Sequence, residues 1–199
     1  MSTTTEHFDD LFTGRRVMAI LRGYDPERTV ALCRRAWDVG IDAVEIPVQS
    51  TDAVPSLEAA VAAAREVGRT VGAGTVTTPE QVADVVRAGA AFAVAPGVDV
   101  ETAAAAVAAD LPYLPGVATA SEVQAAARCG LQWVKAFPAS LLTPAWVAAL
   151  RAPFPELRVV ATGGVDARNA PAFLDAGARV VGVGSALEDP EQLPLLARL

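Results

Sequence analysis

Short apolar runs that follow a glycine recur along the chain. Four segments share one arrangement, in which a glycine ends a helix-like stretch, an apolar or β-branched run follows, and Pro, Phe or Gly closes it. Glycine suits the left-handed residue at a helix C-terminus, and a continuous apolar run is typical of a buried parallel strand. The pattern predicts a repeated unit of helix and strand, at 40–48 (GIDAVEIPV), 89–97 (GAAFAVAPG), 130–138 (GLQWVKAFP) and 177–185 (GARVVGVGS).

Further strands lie between these segments and alternate with helical stretches. They are predicted at 17–21, 70–75, 112–116 and 158–164. One helix has a clear start at Thr78 and Pro79. Eight strands that alternate with helices predict an α/β fold, a single (β/α)8 TIM barrel over residues 1–199, with a short N-terminal helix or tail over 1–16. A doubly wound open sheet is the structural alternative.

The repeat also places two charged residues at matching heights. Glu45 lies five residues after Gly40, and Lys135 lies five residues after Gly130. Their strands are the second and the sixth of the predicted eight, which face each other across a barrel. We therefore expect a carboxylate and an amine to share an inward layer near the C-terminal mouth, where this fold places its chemistry.

Lys135 is the only lysine among 16 basic residues, and its neighbours are apolar. A structural reading has the lysine snorkelling to the barrel edge or forming a buried ion pair with Glu45. Arginine is the better residue for a structural ion pair, whereas only lysine can lose its proton and attack a carbonyl carbon. We therefore expect a nucleophilic amine, with Glu45 as the proton carrier.

Other candidate site residues follow the ends of predicted strands. Glycine-rich turns at 161–165 (ATGGV) and 181–186 (VGVGSA) expose backbone N–H groups, and this fold often binds phosphate between the last two such loops. Arg22, after the first strand, could neutralise a surface acid or hold a substrate carboxylate through two hydrogen bonds. Thr75 has the strand parity of an inward side chain, and Pro96 and Phe137 read as core by composition alone.

Composition and charge exclude several classes of function. A net charge of -7 and no cluster of basic residues argue against nucleic-acid or anionic-membrane partners. His7 is the only histidine, which leaves a zinc site or a histidine-dependent triad almost without ligands. Cys33 and Cys129 lack metal-ligand spacing and suit reduced structural thiols. The polar start resembles no secretory signal and no apolar run spans a bilayer, so we expect a cytoplasmic protein.

Together these motifs resemble a known family. The landmarks occur in order over Val17 to Leu187: AILRG, AVEIPVQS, GAGTV, PG at Pro96, LPGVAT, KAFPAS, TGGV and GVGSAL. The chain resembles the class I aldolases that act on 2-keto-3-deoxy-6-phosphogluconate or its galactonate epimer, a group that includes 4-hydroxy-2-oxoglutarate aldolases. The resemblance implies a (β/α)8 barrel, usually a homotrimer, that needs no metal or other cofactor and yields pyruvate.

The resemblance also assigns roles to individual residues. It implies that Lys135 forms a Schiff base with the keto acid and that Glu45 moves protons. Arg22 and Thr75 match positions at the pyruvate carboxylate and the reacting centre. The family's pyruvyl-pocket positions match Pro96 and Phe137, and its phosphate-end positions match Thr162, Gly163, Gly164, Gly184 and Ser185.

Two departures from the family pattern leave alternatives open. Gln49 stands where many gluconate-type members carry arginine and where the galactonate branch carries asparagine. The final helix is expected to be short, since Pro190 and Pro194 interrupt the last segment. The rival functions are another phosphate-binding barrel enzyme, such as a phosphosugar isomerase or a thiamine-phosphate-synthase-like transferase, and a barrel that binds a keto acid without turning it over.

Overall fold

The computed structural model describes residues 4–189 and 191–199, in which short parallel strands alternate with helices. The strands are β1 Val17–Ile20, β2 Ala43–Pro47, β3 Gly72–Gly74, β4 Ala93–Val94, β5 Tyr113–Leu114, β6 Gly116–Val117, β7 Trp133–Ala136, β8 Arg158–Thr162 and β9 Val180–Val183. The α-helices are α1 Thr4–Leu11, α2 Pro26–Asp38, α3 Val54–Glu66, α4 Pro79–Ala88, α5 Val100–Ala108, α6 Ala120–Arg128, α7 Ala139–Leu150, α8 Ala170–Asp175 and α9 Leu193–Leu196. Single 3₁₀ turns cover Thr51–Ala53 and Ser185–Leu187.

The strands form one sheet whose two ends meet at Pro115. The strand order is β5-β4-β3-β2-β1-β9-β8-β7-β6, and only Pro115 separates β5 from β6. Proline has no N–H for the ladder, so the predicted strand at 112–116 divides into two short segments. Its carbonyl still accepts a 2.8 Å hydrogen bond from the Lys135 N–H. With β5 and β6 counted as one strand, the ring has eight strands. The predicted (β/α)8 barrel is therefore confirmed, and the alternative of a doubly wound open sheet is wrong.

Polar residues directly after the strands start several helices. The side chains of Asp25, Thr78, Asp99 and Thr119 each accept a hydrogen bond from a backbone N–H three residues later. Such bonds satisfy donors that have no partner within the helix. The predicted helix start at Thr78 and Pro79 is confirmed. Strands β1, β3, β4 and β6 thus each lead through a short turn into the following helix at the C-terminal mouth.

The N-terminal helix closes the opposite end of the barrel. Phe8 of α1 is fully buried and contacts the rings of Phe92 and Trp133, with centroids 5.7 and 6.2 Å away. The Trp133 indole donates a 3.0 Å hydrogen bond to Asp9 of the same helix. This aromatic plug fills the barrel floor, at the end opposite the C-terminal mouth.

The last helix is as short as the sequence predicts. Helix α9 covers four residues and has Pro194 in its first turn, while Pro190 lies outside the described residues. Among the described residues, no helix is both long enough and apolar enough to cross a membrane.

Candidate active site

A buried amine and a buried carboxylate meet inside the barrel mouth. Lys135 on β7 and Glu45 on β2 place Nζ and Oε1 3.9 Å apart, and their side chains are 4% and 0% exposed. The two strands lie on opposite sides of the ring, four steps apart in either direction when β5 and β6 are counted as one strand. The shared layer predicted from the glycine repeat therefore corresponds to a direct ion pair.

The Glu45 carboxylate is fully buried but accepts no hydrogen bond within the described residues. Neither oxygen has a hydrogen-bond partner within the described structure, although both are buried. Gly74 on the neighbouring strand β3 provides the space, because a Cβ at that position would overlap Oε1 of Glu45. A buried carboxylate without hydrogen bonds is costly, so a structure that retains one leaves it available to an incoming ligand.

An aromatic wall lines one side of the amine. The ring of Phe137 lies 5.1 Å from Lys135 Nζ, and a cis peptide bond joins Phe137 to Pro138. Phe137 and Pro96 are both half-buried at the mouth. Gly163 also packs against this ring, and an added Cβ there would lie 3.0 Å from Phe137 Cδ2. The wall limits water around the amine, whose side chain is 4% exposed.

Arg22 is oriented by two polar neighbours from the next strands. Its Nη1 donates to Oε1 of Gln49 at 3.3 Å, and its Nη2 donates to Oγ1 of Thr75 at 3.2 Å. Thr75 has φ 60°, a backbone conformation that non-glycine residues rarely adopt and that often marks functional sites. Gln49 therefore orients the guanidinium and adds no second positive charge. The arginine remains exposed enough to receive an anion.

The loops after β8 and β9 form the other end of the mouth. Gly163 and Gly164 have φ values of +92° and +75°, which only glycine adopts without strain. Gly184 is half-buried, Ser185 is exposed, and Thr162 below them is 1% exposed with an unpartnered hydroxyl. The structure thus brings all twelve predicted site residues to one end of the barrel.

Two neighbours of the site were missed from the sequence. Gly74 matters because it leaves space for the Glu45 side chain on the neighbouring strand. The alternation of side chains along β2 and β3 was the signal that could have indicated this contact. Ser140 donates its backbone N–H to the Gly163 carbonyl at 2.9 Å, and an added Cβ on Gly164 would lie 2.7 Å from Ser140. Its position after the KAFP motif was the available signal. No group of three or more His, Cys, Asp or Glu suited to a metal occurs among the described residues.

The class of protein that this fold and site define is a (β/α)8 barrel with a buried lysine and a buried carboxylate at its C-terminal mouth, the end where this fold places its active sites. The family described as KDPG and KHG aldolase matches residues 8–194, and the chain belongs to it. The protein is therefore an aldolase, which is an aldehyde-lyase.

Relatives and solved structures agree with this family. The 2-dehydro-3-deoxy-6-phosphogalactonate aldolase of Escherichia coli K12 is 39% identical, over 86% of this chain and 83% of its own. A native KDPGal structure superposes with a TM-score of 0.84 at 35% identity, covering 92% of each chain. The Legionella pneumophila KDPG aldolase, solved with pyruvate captured as a covalent carbinolamine, has a TM-score of 0.82 at 28% identity, over 94% of this chain and 93% of its own.

Gly74→Ala tests whether the space beside Glu45 is required. The added methyl group would overlap the carboxylate and push it away from Lys135. Because a displacement of about 1 Å can cost about 100-fold in rate, we expect kcat for cleavage to fall by about 100-fold. Steady-state kinetics and thermal unfolding, measured together, would separate this effect from general destabilisation.

Gly97→Ala is the matched control, since an added Cβ there meets nothing within 4 Å. We expect its kcat to stay within about twofold of the unsubstituted protein, as for surface substitutions away from strained positions. Equal losses in the two variants would show that the space at Gly74 has no special role.

Proposed function

We propose that Lys135 and Glu45 carry out a reversible retro-aldol cleavage that gives pyruvate and glyceraldehyde 3-phosphate. The observation that carries the proposal is the buried pair itself, with 3.9 Å between Nζ and Oε1 at the open end of the barrel. Arginine would suffice here if only a structural cation were needed. The presence of a lysine instead supports a covalent role. The unpartnered Glu45 oxygens support a proton-transfer role.

Lys135 forms the covalent intermediate. Its neutral amine adds to the C2 ketone of the substrate, and the resulting carbinolamine loses water to give a protonated Schiff base. The cationic nitrogen then accepts the electron pair that the breaking C3–C4 bond releases. The low exposure of Lys135 supports this step, since a site with little water protects an imine from early hydrolysis.

Glu45 moves the protons, directly or through a water molecule. Its carboxylate takes the proton of the C4 hydroxyl as the C3–C4 bond breaks, which releases glyceraldehyde 3-phosphate and leaves an enamine on Lys135. Protonation of the enamine at C3 restores the Schiff base of pyruvate. Addition of water at C2 then releases pyruvate and returns the free amine.

The remaining site residues bind the two charged ends of the substrate. Arg22, oriented by Gln49 and Thr75, holds the carboxylate of the pyruvyl half, and Pro96 and Phe137 line its pocket. The backbone N–H groups at the opposite end hold the phosphate, with Thr162 and Ser185 as hydroxyl donors. The residues of this phosphate end are Thr162, Gly163, Gly164, Gly184 and Ser185.

Lys135→Arg tests the covalent role. Arginine keeps the positive charge beside Glu45 but cannot form an imine, so cleavage should fall below detection while the barrel stays folded. Coupled detection of pyruvate from the gluconate- and galactonate-type phosphates would measure it. Activity near that of the unsubstituted protein would mean that Lys135 is only a structural cation.

Glu45→Gln tests the proton-transfer role. Glutamine has the same shape but accepts no proton, so kcat should fall by about 10²- to 10⁴-fold. Pyruvate should still be fixed covalently by borohydride, because the Lys135 amine remains. The control is Glu58→Gln, on the exposed face of α3, which should leave kcat unchanged. Unchanged turnover in Glu45→Gln would remove Glu45 from the mechanism.

We also propose a homotrimer. Leu141 supports it, because its side chain is 78% exposed at the start of α7, before the break in that helix at Thr143 and Pro144. Light scattering should give three times the mass of the chain, and Leu141→Asp should lower that mass. The matched control is Val107→Asp on α5, a valine that is 53% exposed. A monomeric mass for the unsubstituted protein would refute the trimer.

The cytoplasm is the proposed compartment for this reaction. Cys33 and Cys129 are both unpaired thiols, which supports a reducing environment. Burial raises the pKa of the Cys33 thiol to about 12, so this cysteine stays protonated and unreactive at neutral pH.

A further inference from the structure

A single carboxylate joins the two substrate-binding ends of the mouth. Glu188 follows the 3₁₀ turn at Ser185–Leu187, on the phosphate side. Its Oε1 accepts a hydrogen bond from the Tyr24 hydroxyl, and its Oε2 accepts one from Arg28 Nη2 at 2.8 Å. Tyr24 lies two residues after Arg22, in the loop that carries the carboxylate-binding side. We call Tyr24, Arg28 and Glu188 the Glu188 clamp.

The Tyr24 side of the clamp is fixed from the protein interior. The Tyr24 carbonyl accepts hydrogen bonds from Ser56 Oγ at 2.8 Å and from Thr29 Oγ1 at 3.4 Å. Ser56 and Thr29 are 4% and 0% exposed. Arg28 extends from the first turns of α2, whose N-cap Asp25 follows Tyr24 directly. The loop that carries Arg22 therefore has a rigid base.

The Glu188 side of the clamp is coupled tightly to the phosphate end. The Glu188 N–H donates to the Ser185 carbonyl at 3.2 Å, and the Leu187 N–H donates to the Gly184 carbonyl at 3.0 Å. A displacement of Glu188 is thus passed directly to Ser185 and Gly184. The hydrogen bond from Tyr24 lowers the pKa of Glu188 most, and the hydrogen bond from Arg28 lowers it further. The carboxylate is therefore ionised at neutral pH.

We propose that the Glu188 clamp sets the distance between the carboxylate-binding and phosphate-binding ends and so selects phosphorylated substrates of the right chain length. This inference rests on the proposed function, because it uses the two ends assigned there. In this proposal Tyr24 and Glu188 are positioning residues, which act through the Arg22 loop and the phosphate end. A loosened clamp leaves Arg22 held by Gln49 and Thr75, so only the phosphate end loses its position.

The experiment compares a ligand that uses one end with a ligand that uses both. Pyruvate needs only the Lys135 and Arg22 end, and its half-saturation is measured by borohydride trapping. The 6-phospho keto acid needs both ends, and its KM is measured by cleavage. In Tyr24→Phe and Glu188→Ala, we expect the KM of the phosphorylated substrate to rise roughly three- to tenfold, as for loss of a charged hydrogen bond at the surface.

The half-saturation for pyruvate should not change in either variant. The matched control is Glu191→Gln, an exposed acid on the same terminal segment, which should change neither value. Equal changes for both ligands would show a merely structural role and overturn the proposal, as would an unchanged KM. If the unsubstituted protein neither traps pyruvate nor cleaves the phosphorylated acid, the proposed function itself fails, and the role of the clamp fails with it.

Discussion

The ion pair between Lys135 and Glu45 is the interaction on which the rest of the structure depends. Removing two opposite charges from water costs several kcal/mol for each ion unless they meet in good geometry. At 3.9 Å and without a hydrogen bond to Glu45, the pair recovers only part of that cost. The barrel brings the two side chains together by closing, since the two strands are distant in sequence and stand on opposite sides of the ring. An open sheet would leave the two side chains apart, and neither would have a partner in the interior.

Glycines on the barrel wall make room for larger groups beside them. Gly72 faces the ring of Phe92, Gly74 faces Glu45, and Gly182 faces Thr162, in each case at a distance that an added Cβ would not allow. At these three places a side chain therefore lies directly against the backbone of a neighbouring strand. Glycine thus makes room for the packing of Phe92 at the barrel floor and for the Glu45 carboxylate at the mouth.

Much of this arrangement could be predicted from the sequence, because strand parity and the glycine repeat are local signals. They gave the eight-strand barrel and the meeting of Lys135 with Glu45. The break at Pro115 and the aromatic plug around Phe8 depend on which segments become neighbours in the closed ring. The hydrogen bonds of Arg22 and Tyr24 depend on loop conformations, for which the sequence carries no periodic signal.

The most direct test of the central claim uses the fact that this chain has one lysine. The unsubstituted protein is incubated with pyruvate and borohydride, digested, and its peptides are analysed by mass spectrometry. We expect one reduced pyruvyl group, attached to Lys135. The absence of an adduct, or an adduct only on the α-amino group of the chain, would contradict it.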